Sequence, residues 1–367
     1  MALDVLSEIV IGPYRLKNRV WMAPLTRCRA DSDRAPTALH AEYYRQRAGA
    51  GLIISEATQI SPRGVGYPAT PGLHSEKQVE GWKRVTGAVH DAGGRIFAQL
   101  WHCGRVSHSD FHDGEPPLSS SAVAATGMAQ TPSGPKPRSV PRAMTIEEIR
   151  STMRDYRAAA ENAERAGFDG VELHGANGYL PDQFLRDGVN QRTDEYGGPV
   201  ENRARFHLEA TRELVEVWGA SRVGVRLSPS GTFGDMGDSD RKGTFGYVVR
   251  ELGKMGLAYL HIMEAMEGDL KHSEPGYAPI PVSFFRPMTA TPIVTNAGFT
   301  KEKADLYIRE GWADAVAFGT LFISNPDLPA RFARGAALAE ADPSTFYGGG
   351  AKGYTDYPAM DGTGGAA

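Results

Sequence analysis

Eight short apolar runs, separated by longer stretches of helical periodicity, constrain this chain more than any other feature of it. They cover residues 19–23, 51–55, 95–100, 170–173, 222–227, 258–263, 292–295 and 315–318. Runs this short suit strands buried on both faces better than helices. Between them apolar residues recur at helical spacing over 78–92, 146–166, 201–218, 247–255, 301–310 and 329–338. A short helix is read at 39–48 and an irregular crossing at 275–288. Strands alternating with helices build βαβ units and a parallel sheet. Eight such units in 367 residues predict an α/β fold, a single closed (β/α)8 TIM barrel. A doubly wound open sheet would want a glycine fingerprint after its first strand, and Met22-Ala23-Pro24-Leu25-Thr26-Arg27 is not one. Residues 8–17, with a Gly12-Pro13 turn, read as an N-terminal hairpin that plugs the barrel floor. Residues 111–142, rich in Pro, Ser and Gly, read as a cap insertion after strand 3, spanning about 103–143 with its flanks. No linker interrupts the middle of the chain, so residues 1–360 read as one domain and the Gly/Ala-rich 361–367 as a disordered tail.

Composition removes several function classes. The net charge of −4 offers no basic excess to neutralise phosphates, which argues against a general nucleic-acid binder. No apolar run approaches the roughly 18 residues that cross a bilayer. Acidic residues stand in the first eight positions, where a secretory signal wants positive charge. Two cysteines, Cys28 and Cys103, make no disulfide framework, so a reducing cytoplasm fits best.

In a TIM barrel the active site lies at the C-terminal ends of the strands. Polar residues or glycines stand at or just beyond the end of every run: Thr26 and Arg27, Glu56 and Thr58, Gln99 with Trp101 and His102, His174 with Asn177 and Tyr179, Arg226 and Ser228, His261 and Glu264, Asn296 and Gly298, Gly319 and Thr320. Strand ends are polar in any case because loops are wet, but His, Asn, Gln and Arg recurring there mark a functional rim. After runs seven and eight, Gly298 and Gly319 each precede a helix. Glycine lets a backbone approach closely, and free N–H groups at helix starts favour anions, so these exits point to a phosphorylated ligand or cofactor. His174 and Asn177 can both donate to one carbonyl or nitro oxygen and stabilise charge that develops on it, with the Tyr179 hydroxyl close by to deliver a proton. A satisfied structural histidine has the same spacing.

The segments Ala23-Pro24-Leu25-Thr26-Arg27, Gln99-Leu100-Trp101-His102, Gly104-Arg105, and His174-Gly175-Ala176-Asn177-Gly178-Tyr179-Leu180 follow one another in a familiar order. So do Asp182-Gln183-Phe184-Leu185, Arg192-Thr193-Asp194-Glu195-Tyr196-Gly197-Gly198, Glu201-Asn202-Arg203, Ile323-Ser324-Asn325-Pro326-Asp327-Leu328 and Gly353-Tyr354-Thr355-Asp356-Tyr357-Pro358. Together these segments, spread over nearly the whole chain, resemble the Old Yellow Enzyme family of FMN-dependent ene-reductases. Thr26, where a thermophilic-like branch has Cys, resembles the classical branch. The resemblance implies FMN in the barrel mouth, held by Pro24, Leu25, Thr26, Ala57 and Gln99 at the ring, Arg226 at its pyrimidine edge, and Asn296, Gly298, Gly319 and Thr320 toward the phosphate. It implies His174 and Asn177 on the substrate's activating oxygen, Tyr179 as proton donor, and Tyr67, Trp101 and Tyr347 lining the substrate cleft. The implied cycle is ping-pong: NADPH or NADH leaves a hydride on FMN, and an activated alkene then receives it at the β-carbon and a proton from Tyr179 at the α-carbon. Phenols are the implied inhibitors, no metal is implied, and the implied state is monomer or homodimer.

Departures from the family pattern carry expectations of their own. Thr320 stands where many relatives have an arginine on the phosphate, so backbone N–H groups are left to hold it, with modestly weaker binding. Gly234 replaces a larger side chain of some relatives and is expected to widen the cleft, and Pro181 to alter the turn beyond Tyr179. Cys103 replaces a usually apolar residue. Two rivals remain: a metal-dependent barrel hydrolase using His102, Cys103, His108, Asp110, His112 and Asp113, and a flavin-binding barrel without turnover.

Overall fold

The computed structural model describes residues 3–265 and 277–360. The tail read as disordered, and the first two residues of the irregular crossing, lie outside the described residues. The eight apolar runs all form strands: β1 Val20–Met22, β2 Ile53–Ile54, β3 Ile96–Trp101, β4 Gly170–His174, β5 Val223–Leu227, β6 Tyr259–Met263, β7 Ile293–Asn296 and β8 Ala315–Phe318. Each pairs in parallel with the next, and β8 pairs with β1 (Val316 opposite Val20), which closes the barrel. Trp101 and His174 are the last residues of β3 and β4 rather than the first residues beyond them.

Strand alternation sorts side chains into two cores. Outward residues such as Val171, Leu173, Val223 and Val225 pack under the helices, α1 Ala38–Gln46, α2 Glu76–Asp91, α3 Ile146–Arg165, α4 Arg205–Trp218, α5 Arg241–Gly253 and α6 Lys301–Arg309. Inward residues fill the barrel with Trp21, Leu52, Ile54, Phe97, Tyr259 and Val294. Tyr259 meets Trp21 edge-on, with ring centroids 5.1 Å apart. The hairpin Ile9–Ile11 and Tyr14–Leu16 is antiparallel and adds Ile11 and Leu16 to this inner cluster, so it does close the floor. Gly12 turns it at φ +51°, with its Cα so near the Ser221 carbonyl that a side chain would collide.

Two helices differ from their sequence reading for local reasons. α5 starts at Arg241 rather than 247, because the Asp240 carboxylate accepts from the Gly243 amide at 2.9 Å and caps it; Gly243 and Gly246 masked that turn in the sequence. The last predicted helix stops at Arg334, since Gly335 adopts the left-handed conformation at φ +60°. The cap insertion is less irregular than its composition suggested. It holds a hairpin, Met128–Thr131 with Gly134–Pro137, and a parallel pair, Leu118–Ser119 with Arg142–Ala143.

Candidate functional site

Above the apolar floor the inward positions turn polar. Gln99, Glu172, Arg226 and His261 form a buried layer on adjacent strands β3 to β6. Gln99 Nε2 donates to Glu172 Oε1 at 2.7 Å, and His261 Nδ1 lies 3.0 Å from Glu172 Oε2. The sequence reading missed Glu172. It is flanked by Val171 and Leu173 in a run taken as apolar, and strict alternation in β4 (Gly170, Glu172, His174 inward) was the signal that could have found it.

Over this layer opens a cavity of about 1030 Å³. Of the residues singled out in the sequence, Pro24, Leu25, Thr26, Tyr67, Asn177, Tyr179, Arg226, Asn296, Gly298, Gly319, Thr320 and Tyr347 line it. Ala57, Gln99, Trp101 and His174 do not. They are buried against its inner edge: Ala57 and Trp101 in one cluster with Tyr67 and Tyr179, and the His174 ring 4.8 Å from that of Tyr179. Tyr67 stacks on Trp101 at 5.4 Å, and its hydroxyl lies 3.2 Å from that of Tyr179. Tyr347 is 69% exposed at the mouth, on a segment fastened by Arg27 Nε to the Phe346 carbonyl at 2.9 Å and by the Gly348 amide to the Arg27 carbonyl at 2.9 Å.

The turn carrying Asn177 and Tyr179 is held from beneath. Asn177 and Gly178 both take positive φ, at +56° and +74°. The Asn177 amide donates to Ser228 Oγ at 2.7 Å, and the Gly178 amide to Asp182 at 2.9 Å. Asp182 forms a fully buried ion pair with Arg186, Nε to Oδ1 2.8 Å, and Arg186 also reaches the Ser228 carbonyl at 2.6 Å. Tyr179 then sits at the N-cap position of the short helix Leu180–Leu185. Pro181 occupies the first turn of that helix, where its missing N–H costs nothing.

Burial sets the protonation states. It pushes the Tyr179 hydroxyl well above the ordinary tyrosine range, reinforced by Tyr67, and Tyr67 shifts the same way. It holds His174 well below the ordinary histidine range, helped by Arg226 and His261. At neutral pH the site therefore presents a neutral imidazole and a protonated phenol. Burial likewise raises both thiols, Cys28 to about 12, and neither is poised to react.

Several buried polar atoms at the cavity's inner edge have no partner among the described residues: Gln99 Oε1, Trp101 Nε1, His174 Nδ1 and Arg226 Nε. Buried polar groups are nearly always satisfied, and four orphans in one place suit a polar heteroaromatic ligand such as the flavin ring. The His-rich loop is otherwise engaged. His102 Nδ1 accepts from the Gly104 amide at 3.0 Å, His112 Nε2 lies 3.0 Å from Ser107 Oγ, and Asp110 pairs with Lys136 at 2.6 Å. Among the described residues, no group of three or more His, Cys, Asp and Glu is placed to hold a metal ion. No described helix is long and apolar enough to cross a membrane. Gly234 is not among the residues that line the cavity. Its φ of +70° explains the glycine, and the space where a Cβ would stand is bounded by Arg138, Ala125 and Val106 at 3.5–3.8 Å.

Residues 5–339 match the NADH:flavin oxidoreductase / NADH oxidase family. The chain is 43% identical to 12-oxophytodienoate reductase 1 of Oryza sativa subsp. japonica, over 98% of this chain and 94% of that protein. It is 43% identical to a probable flavin mononucleotide-dependent alkene reductase of Leishmania infantum, over 98% of each. Among solved structures, the Old Yellow Enzyme homologue from Zymomonas mobilis superposes with a TM-score of 0.93 at 45% identity, covering 97% of this chain and 99% of that one. Morphinone reductase superposes at 0.92 and 46% identity, over 98% and 97%. With a matching fold and similarity along nearly its full length, the chain belongs to the NADH:flavin oxidoreductase / NADH oxidase family and is an oxidoreductase of the Old Yellow Enzyme type.

Proposed function

We propose that this protein is an NAD(P)H-dependent ene-reductase that saturates the activated C=C bond of α,β-unsaturated carbonyls and nitro compounds, with residues 1–360 acting as one FMN-binding barrel. FMN, when bound, supplies the hydride chemistry, taking hydride from a reduced nicotinamide and passing it to carbon. The observation that carries the reading is the grouping of His174, Asn177 and Tyr179 at one edge of the cavity, beside the unpartnered Gln99 Oε1 and Arg226 Nε.

The chain's own residues then take distinct roles. Neutral His174 donates one N–H and Asn177 its side-chain amide to the substrate oxygen, so charge developing there is met by preorganised donors. Tyr179, kept protonated by burial, holds the proton destined for the α-carbon. Arg226 stays charged in the buried layer and favours an anionic cofactor ring edge, while Glu172 balances it from the next strand. Thr26, Pro24 and Leu25 after β1 and Ala57 after β2 shape the ring's seat. Tyr67, Trp101 and Tyr347 wall the substrate side.

The test is a visible spectrum of the purified protein, repeated anaerobically with NADPH or NADH and then with cyclohexenone. A flavin band that bleaches and returns on addition of the enone is the expected result. A protein that stays colourless after reconstitution with FMN would refute the cofactor assignment, and bleaching without return would leave a flavin-binding barrel that does not turn over alkenes.

A further inference from the structure

FMN ends in a phosphate dianion, and the cavity has to neutralise it. Among the described residues, four cationic side chains line the cavity: Arg27, Arg226, Lys301 and Arg331. Two are engaged elsewhere. Arg27 donates to the Phe346, Thr345 and Gly353 carbonyls and to the Tyr43 hydroxyl. Arg331 bonds Asp327 Oδ1 at 2.7 Å and the Ala337 and Pro358 carbonyls at 2.7 and 2.9 Å. Arg226 is only 6% exposed, in the layer that holds Glu172, where bringing in a solvated dianion would be costly.

Lys301 differs from all three. It is the first residue of the nine-residue helix α6, directly after Thr300, and it shares the cavity wall with Gly298, Gly319 and Thr320. Its side chain is 28% exposed, so a charged ligand beside it keeps part of its hydration. Its single hydrogen-bond partner among the described residues is Asp305, Nζ to Oδ2 2.7 Å. An ammonium has three donors, so two are left for other acceptors. Asp305 is itself fixed, because its other oxygen accepts from the Val5 amide at 3.0 Å, and it sets the ammonium at the helix start.

We infer that Lys301 is the cation that receives the cofactor's terminal phosphate, in the corner formed by Gly298, Gly319 and Thr320. It supplies the charge that Thr320 lacks, from the neighbouring β7–α6 turn instead of the start of the helix after β8. This rests on FMN as the occupant of the cavity.

The experiment is a fluorescence titration of the flavin-stripped full chain with FMN and, separately, with riboflavin, which lacks the phosphate. Lys301→Met is expected to weaken FMN about tenfold, the scale of one lost hydrogen bond to a charged group, and to leave riboflavin unchanged. Lys301→Arg should retain wild-type affinity, and Thr320→Arg placed in Lys301→Met should restore it. The dependence of FMN affinity on salt should fall in Lys301→Met. Equal weakening of both flavins would overturn the assignment, since it would mean that loss of the Lys301–Asp305 pair had disturbed the turn. FMN affinity unchanged in Lys301→Met would overturn it as well, with the flavin reading intact. A wild-type chain that binds neither flavin would refute both.

Discussion

Replacing Tyr179 by Phe separates chemistry from packing in this site. The ring contacts are edge-on to Trp101 at 5.0 Å and to His174 at 4.8 Å, and Phe preserves both. What disappears is the hydroxyl and its 3.2 Å contact with Tyr67. That is one neutral hydrogen bond, worth about 0.5–1.5 kcal/mol, so the melting temperature should move by only a few degrees. Removing a positioned general acid costs about 10²–10⁴-fold in rate. The lower end is expected here, because the Tyr67 hydroxyl remains on the same cavity wall and is likewise protonated at neutral pH. Stopped-flow absorbance resolves the two half-reactions. Flavin reduction by the nicotinamide should be nearly unchanged and alkene reduction about 10²-fold slower, most for alkenes whose α-carbon is weakly acidic. Tyr67→Phe with Tyr179→Phe should fall further. With His174 held low and both tyrosines held high, the wild-type alkene step should be flat between about pH 6 and 9. Equal loss in both half-reactions would refute the proton-donor role and make Tyr179 structural.

Two further outcomes test other parts of the argument. His174→Ala should weaken binding of phenols about 10- to 100-fold, as loss of a hydrogen bond to a charged oxygen would, read by the long-wavelength absorbance of the complex; unaltered affinity would remove His174 from the oxygen-binding pair. Glu56 is buried, touches the Tyr44 hydroxyl at 3.3 Å, leaves Oε2 unpartnered, and is pushed up by burial to about 7. Between the unfolded value and about 7 the native state binds the extra proton, so stability falls as pH rises through that window, by about 3 kcal/mol, and is level above it. Glu56→Gln should flatten the curve in denaturant titrations across that range, and parallel curves for the two proteins would refute the assignment.

The barrel was legible because parallel strands buried on both faces read as short, nearly continuous apolar runs, and all eight runs form strands. The rim was legible because strand ends concentrate chemistry, which brought out His174, Asn177, Tyr179 and Arg226 without any geometry. What stayed hidden was charge inside elements. Glu172 lies in mid-strand and Lys301 at a helix start, where a lysine reads as ordinary solvated surface. Asp182 and Arg186 are four residues apart, as many exposed helical pairs are; their complete burial against the Ser228 carbonyl comes from packing of the β4 and β5 exits, which no spacing rule contains. The hairpin inside the cap was masked by its Pro and Gly content, since a short edge pairing tolerates residues that a central strand does not.

The inward faces of the strands also explain why chemistry collects at one end. At the floor, Trp21, Phe97, Tyr259 and Val294 pack with the hairpin and exclude water. One layer higher, Gln99, Glu172, Arg226 and His261 replace them, and their mutual bonds satisfy only part of their capacity. Such atoms are suited to a ligand that carries complementary donors and acceptors. On the proposed reading, a flavin ring that completes those bonds is selected by these same residues. The gradient from apolar floor to incompletely bonded rim is therefore a property of strand order and register. Loops such as the cap and the Tyr347 segment are free to alter the substrate without disturbing how the cofactor ring is recognised.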